Sequence, residues 1–269
     1  MSVLVVPITP DQVEFCSDWL WRLGATAIEE REANDAVELI VGFGDDDLAL
    51  AARSVLSERW PCRLESTGDE TEWRDEWLRW IEPIEVAGFV VHAPWHDPAL
   101  WAAMPAATPL SIDPGRAFGS GHHPTTRMAL EALPALVEPT SRVLDVGSGT
   151  GILSIAAALL GATAVLGIDL DHDIVEVARA NAEANNVAAQ IEFRAGPPAA
   201  AEDRFDVVVA NIVVGDLMPL LPSILGWAQG PVVLSGFLES QFDQVVGGLG
   251  ARVLDRRTLD GWASATILA

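Results

Sequence analysis

The sequence predicts an α/β protein: a seven-stranded, doubly wound, Rossmann-like domain preceded by a small α+β domain of ferredoxin-like pattern. Three observations carry this. From Arg142 onward, short apolar strands alternate with helix-like stretches. The first 65 residues read strand-helix-strand-strand-helix-strand. A glycine-rich turn follows the first strand of the alternating part, at Val143-Leu-Asp-Val-Gly-Ser-Gly-Thr-Gly-Ile152.

In chain order, Val3 to Val6 is a strand, and Thr9-Pro10-Asp11-Gln12 has the form of a helix start, with a threonine cap and proline at the first helical position. Phe15, Cys16, Trp19, Leu20 and Leu23 recur at helical spacing until Gly24 closes the helix. Ala25 to Glu30 and Ala36 to Phe43 are paired strands, a second helix runs from the acids at 45–47 to near Trp60, and a last strand lies near Cys62 to Glu65. Tryptophans 73, 77 and 80 then share one face of a short helix stopped by Pro83. That face reads as packing between domains or as a peptide platform. The expected division is a substrate-recognition domain over 1–67, a linker helix over 68–82 and the large domain over 83–269.

In the large domain, Ile84 to Ala93 and Pro109 to Ile112 read as strands flanking an Ala/Pro/Trp-rich loop. Strands follow at 142–146, 164–168, 190–194, 205–210 and 231–236, with helices at 151–160, 172–184, 215–228 and 239–248. Strands 251–256 and 262–268, with no helix between them, should close the sheet as an antiparallel edge hairpin.

Composition narrows the function classes. With 269 residues, half of them apolar, the chain can bury a large core, and its longest apolar runs are too short to cross a bilayer. The early Pro7, Pro10 and Asp11 and the lack of a basic leader argue against a secretory signal. Cys16 and Cys62 read as reduced thiols, so a cytoplasmic protein is expected, and a monomer is the expected state. The net charge is -23, and all 16 basic residues are arginine. Residues 1–82 alone carry net -12. Such a field repels nucleic-acid backbones and attracts basic proteins, although solubility or salt adaptation would produce the same bias.

The glycine turn is where the chemistry starts. Glycines at the carboxyl end of the first parallel strand let a nucleoside-bearing ligand approach the backbone. A dinucleotide fingerprint would need glycine where Ile152 stands. Gly147-x-Gly149-x-Gly151, with Asp145 two residues ahead, is instead the spacing typical of S-adenosylmethionine enzymes. Asp169 ends the next strand and can accept the ribose hydroxyls, whereas Asp171 reads as a helix cap. Asn211 ends the fourth strand beside the glycine turn, either facing the methyl group or simply turning the chain. No Pro-Pro-aromatic follows it, which argues against a flat, conjugated amine as acceptor. The segment Asp113-Pro-Gly-Arg-Ala-Phe-Gly-Ser-Gly-His-His-Pro-Thr-Thr126 reads as an ordered functional loop. No partner sits at ligand spacing from His122 or His123, so no metal is expected.

Taken together, these segments resemble the PrmA family, the methyltransferases of ribosomal protein L eleven. Phe118-Gly-Ser-Gly-His-His-Pro-Thr-Thr126 is close to the family's F-G-T-G-x-H-P-T-T, and Val209-Ala-Asn-Ile212 and Leu234-Ser-Gly-Phe-Leu238 are similar to family segments. The resemblance implies that Thr126, Gly147, Asp169 and Asn211 contact S-adenosyl-L-methionine, with Gly149 in the same turn. It also implies a basic ribosomal protein as acceptor. Val214-Gly-Asp-Leu departs from the family's Ala-Gly-Pro-Leu. A class I methyltransferase acting on another protein or a small molecule, and a non-catalytic module of the same fold, are the competing readings.

Overall fold

The structure is a computed structural model that describes residues 2–9, 12–33, 36–43, 46–57, 59–66, 82–102, 104, 106–115, 117–196 and 204–268. The chain divides into two compact units, Met1–Ile81 and Glu82–Ala269. The tryptophan-bearing helix expected over 72–80 lies outside the described residues.

In the first unit, β1 (Ser2–Ile8), α1 (Val13–Arg22), β2 (Ala25–Ala33), β3 (Ala36–Phe43), α2 (Asp46–Leu56) and β4 (Arg63–Ser66) follow one another. The sheet order is β2-β3-β1-β4, antiparallel throughout. Strand alternation sends Leu4, Val6 and Ile8 to one face, where they pack with Cys16, Leu20 and Phe43. The α-helix starts later than the Thr9 cap implies. Gln12 N–H donates to the Thr9 carbonyl at 2.9 Å, a tight turn that delays α-helical bonding to Val13. Burial, aided by Cys62, pushes the Cys16 thiol up to about 11, so Cys16 behaves as a small core side chain.

The second unit begins with a hairpin where the sequence suggests one strand over 84–93. β5 (Ile84–Val86) and β6 (Phe89–His92) reverse through Ala87 and Gly88, both at positive φ (55° and 80°). That geometry matches the right-handed twist of the flanking strands. β7 (Thr108–Ser111) adds in parallel to β6. Next come α3 (Pro124–Ala132), β8 (Arg142–Val146), α4 (Ile152–Leu159), β9 (Ala164–Asp169), α5 (His172–Ala184), β10 (Ile191–Ala195), β11 (Val207–Asn211), α6 (Val214–Trp227), β12 (Pro231–Leu238), α7 (Phe242–Val246), β13 (Arg252–Leu259) and β14 (Trp262–Leu268). The stretch expected as a helix over 239–248 is split: a 3₁₀ turn at Glu239–Gln241 precedes a five-residue α7.

These strands form one sheet of order β10-β9-β8-β11-β12-β14-β13. The five strands from β10 to β12 are parallel, and β14 runs antiparallel between β12 and the edge strand β13. The valine-rich strands are covered on both faces, as parallel sheets require. In β11, Val207 and Val209 join the core with Ile155 and Leu110, while Val208 and Ala210 join the opposite core with Leu221 and Ile224. Because β8 has β9 on one side and β11 on the other, the winding reverses there. In open α/β sheets such a reversal is where a binding crevice forms, here at the carboxyl ends of β8 and β11. Among the described residues, no helix is long and apolar enough to cross a membrane.

Candidate active site

The turn from β8 into α4 is held open by its glycines and closed by hydrogen bonds to its neighbours. Gly147 and Gly149 sit at φ 73° and 53°, the left-handed region. A Cβ on Gly147 would overlap the Ile212 side chain, and one on Gly149 would overlap the Phe118 carbonyl oxygen. Gly147 and Ser148 N–H groups donate to the Ile168 carbonyl at 2.8 and 2.9 Å. Gly149 N–H donates to Asp169 Oδ2 at 3.0 Å. The two sequence-marked elements of a nucleoside site therefore touch directly. Asp171 accepts from Asp173 N–H at 2.8 Å and caps α5.

Asp145 is fully buried beneath this turn. Its Oδ2 accepts from both the hydroxyl (2.7 Å) and the N–H (3.1 Å) of Ser154, anchoring the first turn of α4. Burial pushes its carboxyl up to about 6, against the pull of the Ser154 hydrogen bonds and with a further push from the Asp169 charge. Ionising it within the fold costs on the order of 3 kcal/mol. An acid raised in this way stabilises the fold below its ordinary value of 3.8, and that stability is lost as pH climbs through about 6. Asp145→Asn should therefore match the parent Tm at pH 4 and exceed it by several degrees at pH 8. A Tm difference that stays flat from pH 4 to pH 8 would show that Asp145 is not a buried, strained charge.

The loop before α3 lies along the glycine turn. Phe118 carbonyl accepts from Thr150 N–H at 2.9 Å, and Thr150 hydroxyl donates to the Gly119 carbonyl at 2.8 Å. His123 caps α3: its Nδ1 accepts from Thr125 N–H at 3.3 Å and lies 2.8 Å from Thr125 Oγ1, with Pro124 at the first helical position. Burial lowers the His123 pKa. His122 Nε2 lies 2.8 Å from the Glu82 carbonyl oxygen, and no cluster of metal-binding side chains occurs among the described residues.

Thr126 is completely buried in the first turn of α3, and its Oγ1 accepts from Asn211 Nδ2 at 3.2 Å. The structure thus joins Thr126 to Asn211 and Gly149 to Asp169, and sets Gly147 against Ile212, the neighbour of Asn211. Sequence reasoning missed the residues that brace these pairs. Ser235 hydroxyl donates to the Thr125 carbonyl at 3.0 Å. Asn181 Nδ2 donates to the Asp113 and Thr150 carbonyls at 3.0 and 2.9 Å, while its Oδ1 accepts from Asp113 N–H. Asn185 makes the equivalent clamp on Ser111. The available signal was a pair of asparagines one turn apart on a helix whose inner face is otherwise small and apolar.

Four buried side-chain polar atoms among the described residues lack a hydrogen-bond partner, and three of them, Asp145 Oδ1, Ser148 Oγ and Asn211 Oδ1, lie at the end of β8, in the glycine turn and at the end of β11. Unpaired polar atoms in a dry site are costly, and a polar ligand would satisfy them. A seven-stranded sheet closed by a reversed hairpin, a glycine turn at its winding reversal and an acid closing the next strand define an S-adenosylmethionine-dependent methyltransferase.

The comparisons narrow the class. The family described as "Ribosomal protein L11 methyltransferase (PrmA)" matches residues 4–265. Curated relatives named "Ribosomal protein L11 methyltransferase" include one from Deinococcus radiodurans, 37% identical over 91% of this chain and 88% of its own. Another, from Ralstonia pickettii, is 34% identical over 96% of this chain and 95% of its own. A crystal structure titled as a ribosomal protein L11 methylase from Lactobacillus delbrueckii subsp. bulgaricus superposes with a TM-score of 0.63 at 27% identity, covering 70% of this chain and 98% of that one. This chain belongs to the ribosomal protein L11 methyltransferase family.

Proposed function

We propose that the chain transfers methyl groups from S-adenosyl-L-methionine to amino groups of ribosomal protein L11, at lysine ε-amines, the N-terminal α-amine or both. The observation that carries this reading is Asn211. One end of its amide is fixed to Thr126, and the other end is a buried, unpaired acceptor at the crevice beside the glycine turn. In this reading Thr126, Gly147, Gly149, Asp169 and Asn211 contact the cofactor, with Asp169 accepting its ribose hydroxyls.

The cofactor supplies an electrophilic methyl on a cationic sulfur. The chain's task is orientation, holding the amine in line with that methyl, which is worth ~7–11 kcal/mol in well-ordered systems. Asn211 Oδ1 accepts from the incoming N–H and aims its lone pair. An amine with a pKa of about 10.4 must arrive neutral, and an apolar approach favours that form. No side chain is assigned as general base.

Residues 1–67 are the proposed substrate-recognition domain, joined by a linker over 68–82 to the catalytic domain, and the protein acts as a cytoplasmic monomer without binding nucleic acid directly. The net charge of -23 supports a basic acceptor. The test is to incubate the purified chain with labelled S-adenosylmethionine and total ribosomal proteins. Label on L11 is expected, whereas label only on another protein or on small molecules would overturn the reading. A chain starting at Glu82 should bind the cofactor normally and lose methylation of L11. Retained protein methylation would sink the assignment of the N-terminal unit. In the full chain, KM for L11 should rise with salt as charge attraction is screened.

A further inference from the structure

An aromatic array is centred on His123, the cap of α3 three residues before Thr126. The His123 ring lies edge-to-face against Phe118 (centroids 5.2 Å apart, interplanar angle 67°) and against Trp262 (4.9 Å, 71°). Three separate segments contribute: the loop along the glycine turn, the cap of α3 and the first residue of β14. Trp262 pairs in register with Leu238, at the end of β12. β11, which ends in Asn211, is two strands from β14, roughly 10 Å by strand spacing.

The surroundings are apolar and open. Phe118 is 56% exposed, and Val213 and Leu238, just past Asn211 and at the end of β12, are 60% and 41% exposed. Large apolar side chains gathered at the mouth of a crevice mark a binding surface. His123 adds no charge. Its Nδ1 accepts from Thr125 N–H, and burial lowers its pKa, which disfavours the charged ring. Protonation would remove the α3 cap and repel an approaching cation.

We infer that Phe118, His123 and Trp262 form an acceptor subsite that grips the methylene stem of a lysine side chain while its nitrogen reaches Asn211. This rests on the protein N-methyltransferase reading above. Lysine supplies what such a wall binds: a long apolar stem to cover ring surface, with the nitrogen at its far end. A basic acceptor also complements the charge of -23. A backbone α-amine carries no such stem, so the subsite favours lysine sites over the N-terminus.

The test uses the full chain with Phe118→Ala, Trp262→Ala and Trp262→Phe, purified ribosomal protein L11 and labelled S-adenosylmethionine. Phe118→Ala leaves the main-chain bond to Thr150 in place. Each alanine variant should raise KM for lysine methylation about tenfold, while the cofactor Kd, read by calorimetry, changes by less than about twofold. Trp262→Phe should recover most of the loss. Any α-amine methylation, mapped by mass spectrometry, should fall less than lysine methylation. If the parent chain methylates L11 lysines and both alanine variants keep its kcat/KM, the subsite is refuted and the function stands. Losses that follow cofactor Kd refute it equally, because the array would then serve the donor side. A parent chain that methylates no protein refutes the functional reading, and the subsite falls with it.

Discussion

Replacing Gly149 with alanine should abolish useful cofactor binding, raising Kd by roughly a hundredfold. Two penalties combine at this position. An L side chain at φ 53° costs ~1–2 kcal/mol. The new Cβ would also overlap the Phe118 carbonyl oxygen, which is backbone and cannot rotate away. Relief requires the 118–121 segment to lift off the glycine turn, breaking the Thr150 N–H to Phe118 bond and the Thr150 hydroxyl bond to Gly119. Gly250 is a matched control: it has φ 65°, and a methyl group added there would meet nothing within 4 Å. Gly250→Ala should lower Tm by a few degrees and leave calorimetric cofactor affinity unchanged. If the two variants behave alike, backbone strain alone explains the turn, and its close packing is irrelevant to binding.

Asn211→Ala should lower kcat for protein methylation by about a hundredfold if, as proposed, its amide aligns acceptor with donor. Its effect on cofactor Kd should be smaller, since Thr126 loses one hydrogen bond worth about 1 kcal/mol. Asn211→Asp is the informative partner. It keeps an acceptor at Oδ1, and Thr126 can reverse its hydroxyl to donate, so this variant should retain more turnover than alanine does. The measurement is single-turnover methyl transfer at saturating cofactor. Should alanine leave both turnover and affinity intact, Asn211 would be no more than a strand-ending residue.

The parts legible in the sequence are those written locally. Strand-helix alternation from Arg142 gave β8 to β12 with only end shifts, because the central strands β8, β11 and β12 are buried on both faces and so read as apolar runs. The glycine turn, the strand end at Asp169 and the Asp171 cap were legible because each is marked by its own short stretch of sequence, even though Gly149 and Asp169 meet across 20 positions. The β5–β6 hairpin was not, since Ala87 carries no mark of its positive φ and Gly88 alone is a weak turn signal. The braces of the site were hidden for a different reason. Asn181 reaches Asp113 across 68 positions and Ser235 reaches Thr125 across 110, and a lone serine in a strand or an asparagine on a helix reads equally well as solvated. The Trp262 contact with His123 depends on the place of β14 inside the sheet rather than at its rim.

Those long reaches bear on when the enzyme becomes active during synthesis. The first turn of α3 is tied to Asn211 across 85 residues and to Ser235 across 110. A growing chain that has made only the glycine turn and Asp169 has nothing to hold Thr126 or to align an acceptor. Contacts this distant form late, after the costly loop closures between them. A chain still emerging from the ribosome therefore has no assembled catalytic crevice, even though the protein it would modify is a ribosomal component close at hand. Competence waits for the strands that carry Asn211 and Ser235 to join the sheet.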